Sequence, residues 1–229
     1  MNNHDLDSLL EVLNGGIQNT QEKNYTNSNQ RTALVVSCSM DQCQYDQLLW
    51  PVDPSSNTQS MTTLGGQTWN CHDGELRVND TLTHIISKHD IETILVIGHT
   101  DCDVIADVYE WYFDLAEPSS EEIRSRMDPL VSLVGDAVNA GIVDSTTPSR
   151  TAQYRLAEYN VLRQVEFLSK RLSSKITVAG YVHDQDGVYY WLPEKLHLVT
   201  VDGETDPEKL EIRVPDYEFI SIESLINKQ

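Results

Sequence analysis

Basic residues are scarce in this chain. Only seven of its 229 residues are lysine, and sixteen basic residues stand against thirty-six acidic ones, a formal charge of -20. Such a surface repels nucleic acid and anionic membranes, so neither is expected as a partner. An ordinary acidic enzyme could carry this charge, but it fits better with a salt-rich cytoplasm, where screening over a few ångströms suppresses self-repulsion. Long apolar runs are also lacking: no stretch of about 18 apolar residues and no basic-then-apolar leader is present. The expectation is therefore a cytoplasmic protein with neither membrane span nor signal peptide. The four cysteines, at 38, 43, 71 and 102, form no short-spaced disulfide framework. In a reducing compartment, metal binding is the better use for two of them. No internal repeat appears, and the length fits one domain, 1–229, with an ample core.

What the chain does have is two apolar runs that stop at metal-ligand residues. Thr32-Ala-Leu-Val-Val-Ser-Cys38 ends in a cysteine, and Ile94-Leu-Val-Ile-Gly-His-Thr-Asp-Cys102 ends in a histidine with a cysteine three residues on. Short continuous apolar runs read as buried parallel strands, and ligands of open α/β sheets gather where such strands end. Cys38, His99 and Cys102 are thus expected to meet. Two thiolates and an imidazole suit Zn²⁺, and three protein ligands leave a fourth tetrahedral position open, the catalytic rather than the structural pattern. With two thiolates the unit is formally neutral, so surrounding groups must help to acidify a bound water. Taken alone, a His-x-x-Cys has innocent explanations, because free cysteine is among the most buried residue types.

Along the chain, Leu6, Leu9, Leu10 and Leu13 give an N-terminal helix stopped by Asn14-Gly15-Gly16, and 17–30 reads as a polar connector. A loop rich in Pro, Ser, Thr and Asn runs to about residue 63, long enough to cover part of a site or touch a partner. A short strand at 68–71, a helix over 79–89 and the strand at 92–98 read as a βαβ unit. Helices are expected over 103–115, over 119–140 with a break or start at Pro129, and over 149–172. A strand at 176–183 and a turn at 184–187 follow, then an antiparallel return through 188–191 and 196–201. The organisation is a connector region (1–30), a zinc-binding core (31–203) and an acidic C-terminal extension (204–229).

Ser37-Cys38, Gly98-His-Thr-Asp-Cys102 and the helix bearing Glu158-Tyr-Asn-Val-Leu-Arg-Gln-Val165 together resemble the β-class carbonic anhydrases. So do Ala179-Gly-Tyr-Val-His-Asp184 and Leu196-His-Leu-Val199. The resemblance implies an α/β fold with a mostly parallel central sheet, one antiparallel edge strand and flanking helices. It also implies one zinc per chain on Cys38, His99 and Cys102, reversible hydration of carbon dioxide to bicarbonate, and a homodimer or higher homo-oligomer in which the N-terminal helix packs on a neighbour.

The family's motif around its first cysteine is Cys-x-Asp-x-Arg, in which the Asp accepts a hydrogen bond from the zinc-bound water and the Arg orients the Asp. This chain has Met40 and Gln42 at those two places, with Asp41 one residue late. A slip of one turns a side chain to the opposite face of an extended segment. Asp41 is therefore a candidate base or fourth zinc ligand only if the loop tightens. Where the family has Arg-Asn-Ala-Gly, this chain has Cys71-His-Asp-Gly74, making His72 and Asp73 weaker candidates for a proton acceptor, beside the plainer reading of a surface turn. Asp103 fits as a helix-capping residue, while His84, His89, His183 and His197 lack ligand spacing and read as structural or exposed. Besides carbon dioxide hydration, a hydrolase of an analogue such as carbonyl sulfide or carbon disulfide, and a non-catalytic zinc-binding relative, fit the same residues.

Overall fold

The computed structural model describes residues 32–41, 57–189, 193–213 and 220–226. The expected N-terminal helix, the connector and Gln42 lie outside these. Among the described residues, no helix is long and apolar enough to cross a membrane.

Strand β1 (Thr32–Cys38) is buried at every position, as its unbroken apolar run requires. Parallel to it on one side lies β2 (Asn57–Thr63) and on the other β5 (Ile91–His99). Next to β5 comes β6 (Thr177–Asp184), also parallel, followed by β7 (Lys195–Val201), antiparallel to β6, and β8 (Ile220–Ile222), parallel to β7. The sheet order is therefore β2-β1-β5-β6-β7-β8. It is mostly parallel with one antiparallel pair, as expected, except that the antiparallel strand is not the edge. The C-terminal extension folds back through a short helix over Pro207–Arg213 and adds β8 outside it.

Helices α1 (Asp80–Lys88), α2 (Asp103–Tyr112), α3 (Glu121–Asn139) and α4 (Ser149–Ser169) supply the rest of the core. Alternate strand residues divide between the two sheet faces. Leu34, Val36, Ile94, Val96, Val178 and Val182 join the helical core, and Ala33, Val35, Leu95, Ile97, Ala179 and Tyr181 form a second cluster. Asn79 caps α1 by accepting from the N–H groups of Thr81 and Leu82, and the Ser120 hydroxyl accepts from Ile123 N–H at the start of α3.

Four expectations are corrected. The supposed loop before residue 63 contains β2, whose sequence Asn-Thr-Gln-Ser-Met-Thr-Thr is polar because an edge strand needs main-chain pairing more than burial. The βαβ reading fails, since β3 (Trp69–His72) pairs with β4 (Glu75–Val78) in a separate antiparallel hairpin rather than joining the sheet of β5. Pro129 neither breaks nor starts α3: the missing N–H costs one bond, and the buried face of Met127, Leu130, Leu133, Val134 and Ala137 carries the helix through. Val188 and Tyr189 lie in a turn, because Asp184 folds them back by accepting both their N–H groups at 2.9 Å.

Glycines let α4 lie unusually close to the sheet. A Cβ at Gly180 would stand 2.6 Å from Val161 Cγ1, 2.7 Å from Thr200 Cγ2 and 2.9 Å from Val165 Cγ2, and one at Gly98 would stand 2.7 Å from Val161 Cγ2. All these neighbours are β-branched, stiff at χ1 and packed. Gly180→Ala is therefore expected to cost about 1–3 kcal/mol through overpacking. For a chain of this size that lowers the melting midpoint by roughly 2–12 °C, which a thermal melt measures. An unchanged midpoint would mean that α4 can move away from the sheet freely.

Polar side chains of α4 fasten two further segments. Glu158, fully buried, accepts from the Tyr189 hydroxyl at 2.8 Å, the Ser224 hydroxyl at 2.5 Å and Leu225 N–H at 2.7 Å, anchoring the C-terminal extension. Burial pushes its carboxyl above the usual range, against the pull of these donors. On the same helix, Asn160 donates to Gly65 O at 2.8 Å, while Gln164 Oε1 accepts from Thr68 N–H at 2.8 Å and from its hydroxyl at 2.5 Å. These bonds hold the 64–68 segment against the end of β1.

Candidate metal centre

Cys38 closes β1 and His99 closes β5, in neighbouring parallel strands, while Cys102 sits immediately before α2. Because β1 and β5 end together, both side chains arrive at the C-terminal edge of the sheet. The ligand atoms of Cys38, His99 and Cys102 all lie within 4.8 Å of one another, and all three residues are buried. The chain thus brings together the three residues that the sequence singled out.

Two sulfurs, each about 2.3 Å from one tetrahedral zinc, stand roughly 3.8 Å apart. Cys38 Sγ and Cys102 Sγ are 3.9 Å apart. The His99 ring has Gln185 Oε1 3.3 Å from Nδ1, and its buried Nε2 has no hydrogen-bond partner. An orphaned imidazole nitrogen beside two convergent sulfurs is the donor set of a soft or borderline metal ion, and the residues fit zinc.

The thiols are electrostatically prepared for it. Cys38 is pushed down to about 4, first by the hydrogen bond from Cys102, then by His99 and the N–H groups of Met40 and Gly65, against the upward pull of burial. The Met40 N–H reaches Cys38 Sγ at 3.4 Å. Cys102 goes the other way: it shares its proton with Cys38 and is deeply buried. Burial pulls the His99 imidazole down, but the adjacent Cys38 thiolate and the charge of Asp41 outweigh it and the net shift is upward. One thiolate is thus stabilised before any metal arrives, and a cation would displace the second thiol proton.

After Cys38 the chain turns at once. Asp41 N–H donates to Cys38 O at 3.2 Å, closing a four-residue turn with Met40 at its corner, 53% exposed. The position at which the resemblance places a catalytic aspartate is therefore a solvent-facing methionine. Asp41, one residue later, lies near enough for its charge to bear on His99, but its carboxylate is not among the groups that converge within 4.8 Å.

His72 and Asp73 lie at the tip of the β3–β4 hairpin, both exposed, with Asp73 (φ 51°) and Gly74 (φ 79°) in the left-handed region that such a turn requires. The surface turn expected there is present. His84 and His89 are exposed. His183 and His197 are buried, the first 3.1 Å from Glu194, the second stacked on Tyr189 and bonded to Ser221. Asp103 opens the first turn of α2 without capping it by its side chain.

Around these three side chains stand groups that no motif revealed. Gln153 Nε2 donates to Cys102 O at 3.0 Å. Arg150 spans the site's rim, donating to Asp101 at 2.6 Å, Asp186 at 2.9 Å and Gln153 at 3.1 Å. Only the fold brings these segments of α4, the β5–α2 junction and the β6–β7 turn together.

No family model matches the chain, and no curated protein matches it. Solved structures do. The β-carbonic anhydrase CafA of Aspergillus fumigatus superposes with a TM-score of 0.56 at 18% identity, over 80% of this chain and 81% of that one. A Coccomyxa β-carbonic anhydrase in complex with acetazolamide gives 0.54 at 16% identity, over 81% and 78%. A tetrameric β-carbonic anhydrase from Sordaria macrospora gives 0.51 at 15% identity, over 69% and 77%. The fold is that of the β-carbonic anhydrases.

Proposed function

We propose that this chain is a divergent β-class carbonic anhydrase that binds one zinc through Cys38, His99 and Cys102 and reversibly hydrates carbon dioxide, slowly. The observation that carries the reading is the convergence of those three side chains, with His99 Nε2 orphaned, at strand ends of a β-carbonic anhydrase fold. Zinc held there would supply Lewis-acid activation of a water. The chain's own residues do the rest. Cys38 and Cys102 provide the negative charge, the Gly65 and Met40 N–H groups keep that charge localised on Cys38, and Asp41 stands in for the absent Asp-Arg pair as base or as a fourth ligand. Slowness follows from Met40, which has no proton-accepting group at the place where the family's aspartate acts. A homo-oligomer in a salt-rich cytoplasm completes the proposal, supported by the charge of -20 and by the tetrameric Sordaria neighbour.

Stopped-flow hydration with a pH indicator, in molar salt and with metal content measured, tests this. Zinc-dependent hydration that a chelator abolishes is the expected result. Stoichiometric zinc without hydration, together with sulfide release from carbonyl sulfide or carbon disulfide, would move the chain to the analogue hydrolases. Zinc without either activity would leave a non-catalytic binding protein.

A further inference from the structure

A metal-ligating histidine must present a lone pair, and which nitrogen presents it is decided by what the other nitrogen does. The partner of His99 Nδ1 is the side-chain oxygen of Gln185, 3.3 Å away. An amide oxygen only accepts, so it selects the tautomer with hydrogen on Nδ1. The lone pair then falls on Nε2, the buried nitrogen with no partner, beside Cys38 and Cys102.

Gln185 is itself held in place. Its N–H donates to the Thr100 hydroxyl at 3.0 Å, and Thr100 N–H donates to His183 O at 3.0 Å, so the residue after His99 and the residue after β6 are laced together. The next residue, Asp186, is tied through Arg150 to Asp101, which lies inside the ligand segment. The amide thus sits on a turn fixed to the ligand loop at two points, one of them buried: Thr100 is fully enclosed. Such double fixing restrains the ring's rotation as well as its tautomer.

We propose that Gln185 is the positioning residue of this metal centre, its amide oxygen holding His99 as the Nδ1–H tautomer with Nε2 directed at the metal. The proposal rests on the zinc reading above and adds to it a residue that never touches the metal. Removing an outer partner of a ligating histidine weakens metal binding by roughly ten- to a hundredfold in comparable sites.

The test uses the full chain with Gln185→Leu and Gln185→Glu, the latter keeping an oxygen acceptor of similar reach. In the metal-free, reduced protein, at a pH where the ring is neutral, ¹⁵N NMR of the His99 ring reports which nitrogen carries the proton. Nδ1–H is expected in the wild type and in Gln185→Glu, and a shift towards Nε2–H in Gln185→Leu. Chelator competition should show zinc held about ten- to a hundredfold more weakly by Gln185→Leu, with affinity restored in Gln185→Glu. Wild-type protein with the proton on Nε2 would overturn the proposal, as would unchanged zinc affinity in Gln185→Leu or equal weakening in both variants. Failure of the wild type to bind zinc would sink the metal-centre reading alone, because the tautomer is read without metal. Should Gln185→Leu not fold, the wild-type tautomer and the Gln185→Glu affinity still decide.

Discussion

Cys38→Ser and Cys102→Ser should each reduce bound zinc from one per chain to well below stoichiometric under mild chelation, with hydration lost in parallel. A serine hydroxyl does not ionise near neutrality, so each variant leaves two ligands and removes one of the two negative charges that balance Zn²⁺. The two variants are not equivalent. Cys38 receives the Met40 and Gly65 N–H groups and is the thiol held low, so its loss removes the charge the surroundings are built to stabilise. Cys38 and Cys102, 1% and 2% exposed, are equally enclosed in the core, so either substitution also disturbs packing. The larger fall in zinc affinity is therefore expected for Cys38→Ser, with a comparable fall in thermal stability for the two variants. Inductively coupled plasma analysis and thermal melts measure the two quantities on the same samples. Stoichiometric zinc in both variants would show that the three side chains are not the metal site.

The convergence of Cys38, His99 and Cys102 was legible in the sequence because the features that place them are local. β1 and residues 94–97 of β5 are near-continuous apolar stretches, as a doubly covered strand allows, and each strand ends in a residue type that binds metals. Likewise α4 carries Val161, Val165 and Leu168 at helical spacing. What the sequence hid depends on distant partners. β2 looks like loop because Thr58, Gln59, Ser60 and Thr62 give no apolar pattern, and it becomes a strand only when β1 offers its edge. Pro129 looks like a breaker until five buried residues of α3 are seen to outweigh one missing bond. Gln185 and Arg150 carry no motif at all; they matter because the β6–β7 turn comes to lie beside the segment after β5. Asp41 is intermediate. Its offset from the family motif could be read, but not the turn it closes, since that turn depends on the Asp41 N–H finding Cys38 O.

That turn sets up the largest activity change. Met40→Asp combined with Gln42→Arg is expected to raise carbon dioxide hydration by about a hundredfold, the lower end of what a positioned general base contributes. The wild type has its carboxylate at position 41, where its charge bears on His99, with no arginine in the motif to pair with it. A carboxylate that reaches the metal is an acceptable fourth ligand and would close the position that water needs. Asp41→Ala should then leave zinc in place and hydration low, because it opens the position without supplying a base. The double variant supplies both a carboxylate, at the corner now filled by exposed Met40, and a guanidinium to orient it and keep it ionised. Adding Asp41→Ala to the double variant should raise the rate further, since the competing carboxylate is gone. Stopped-flow traces on the four proteins, each with measured zinc content, give the ordering. Fast hydration by the unmodified chain would overturn this account, as would a double variant no faster than wild type; the first outcome would transfer the base's role to another group, with His72 or Asp73 the next to be replaced.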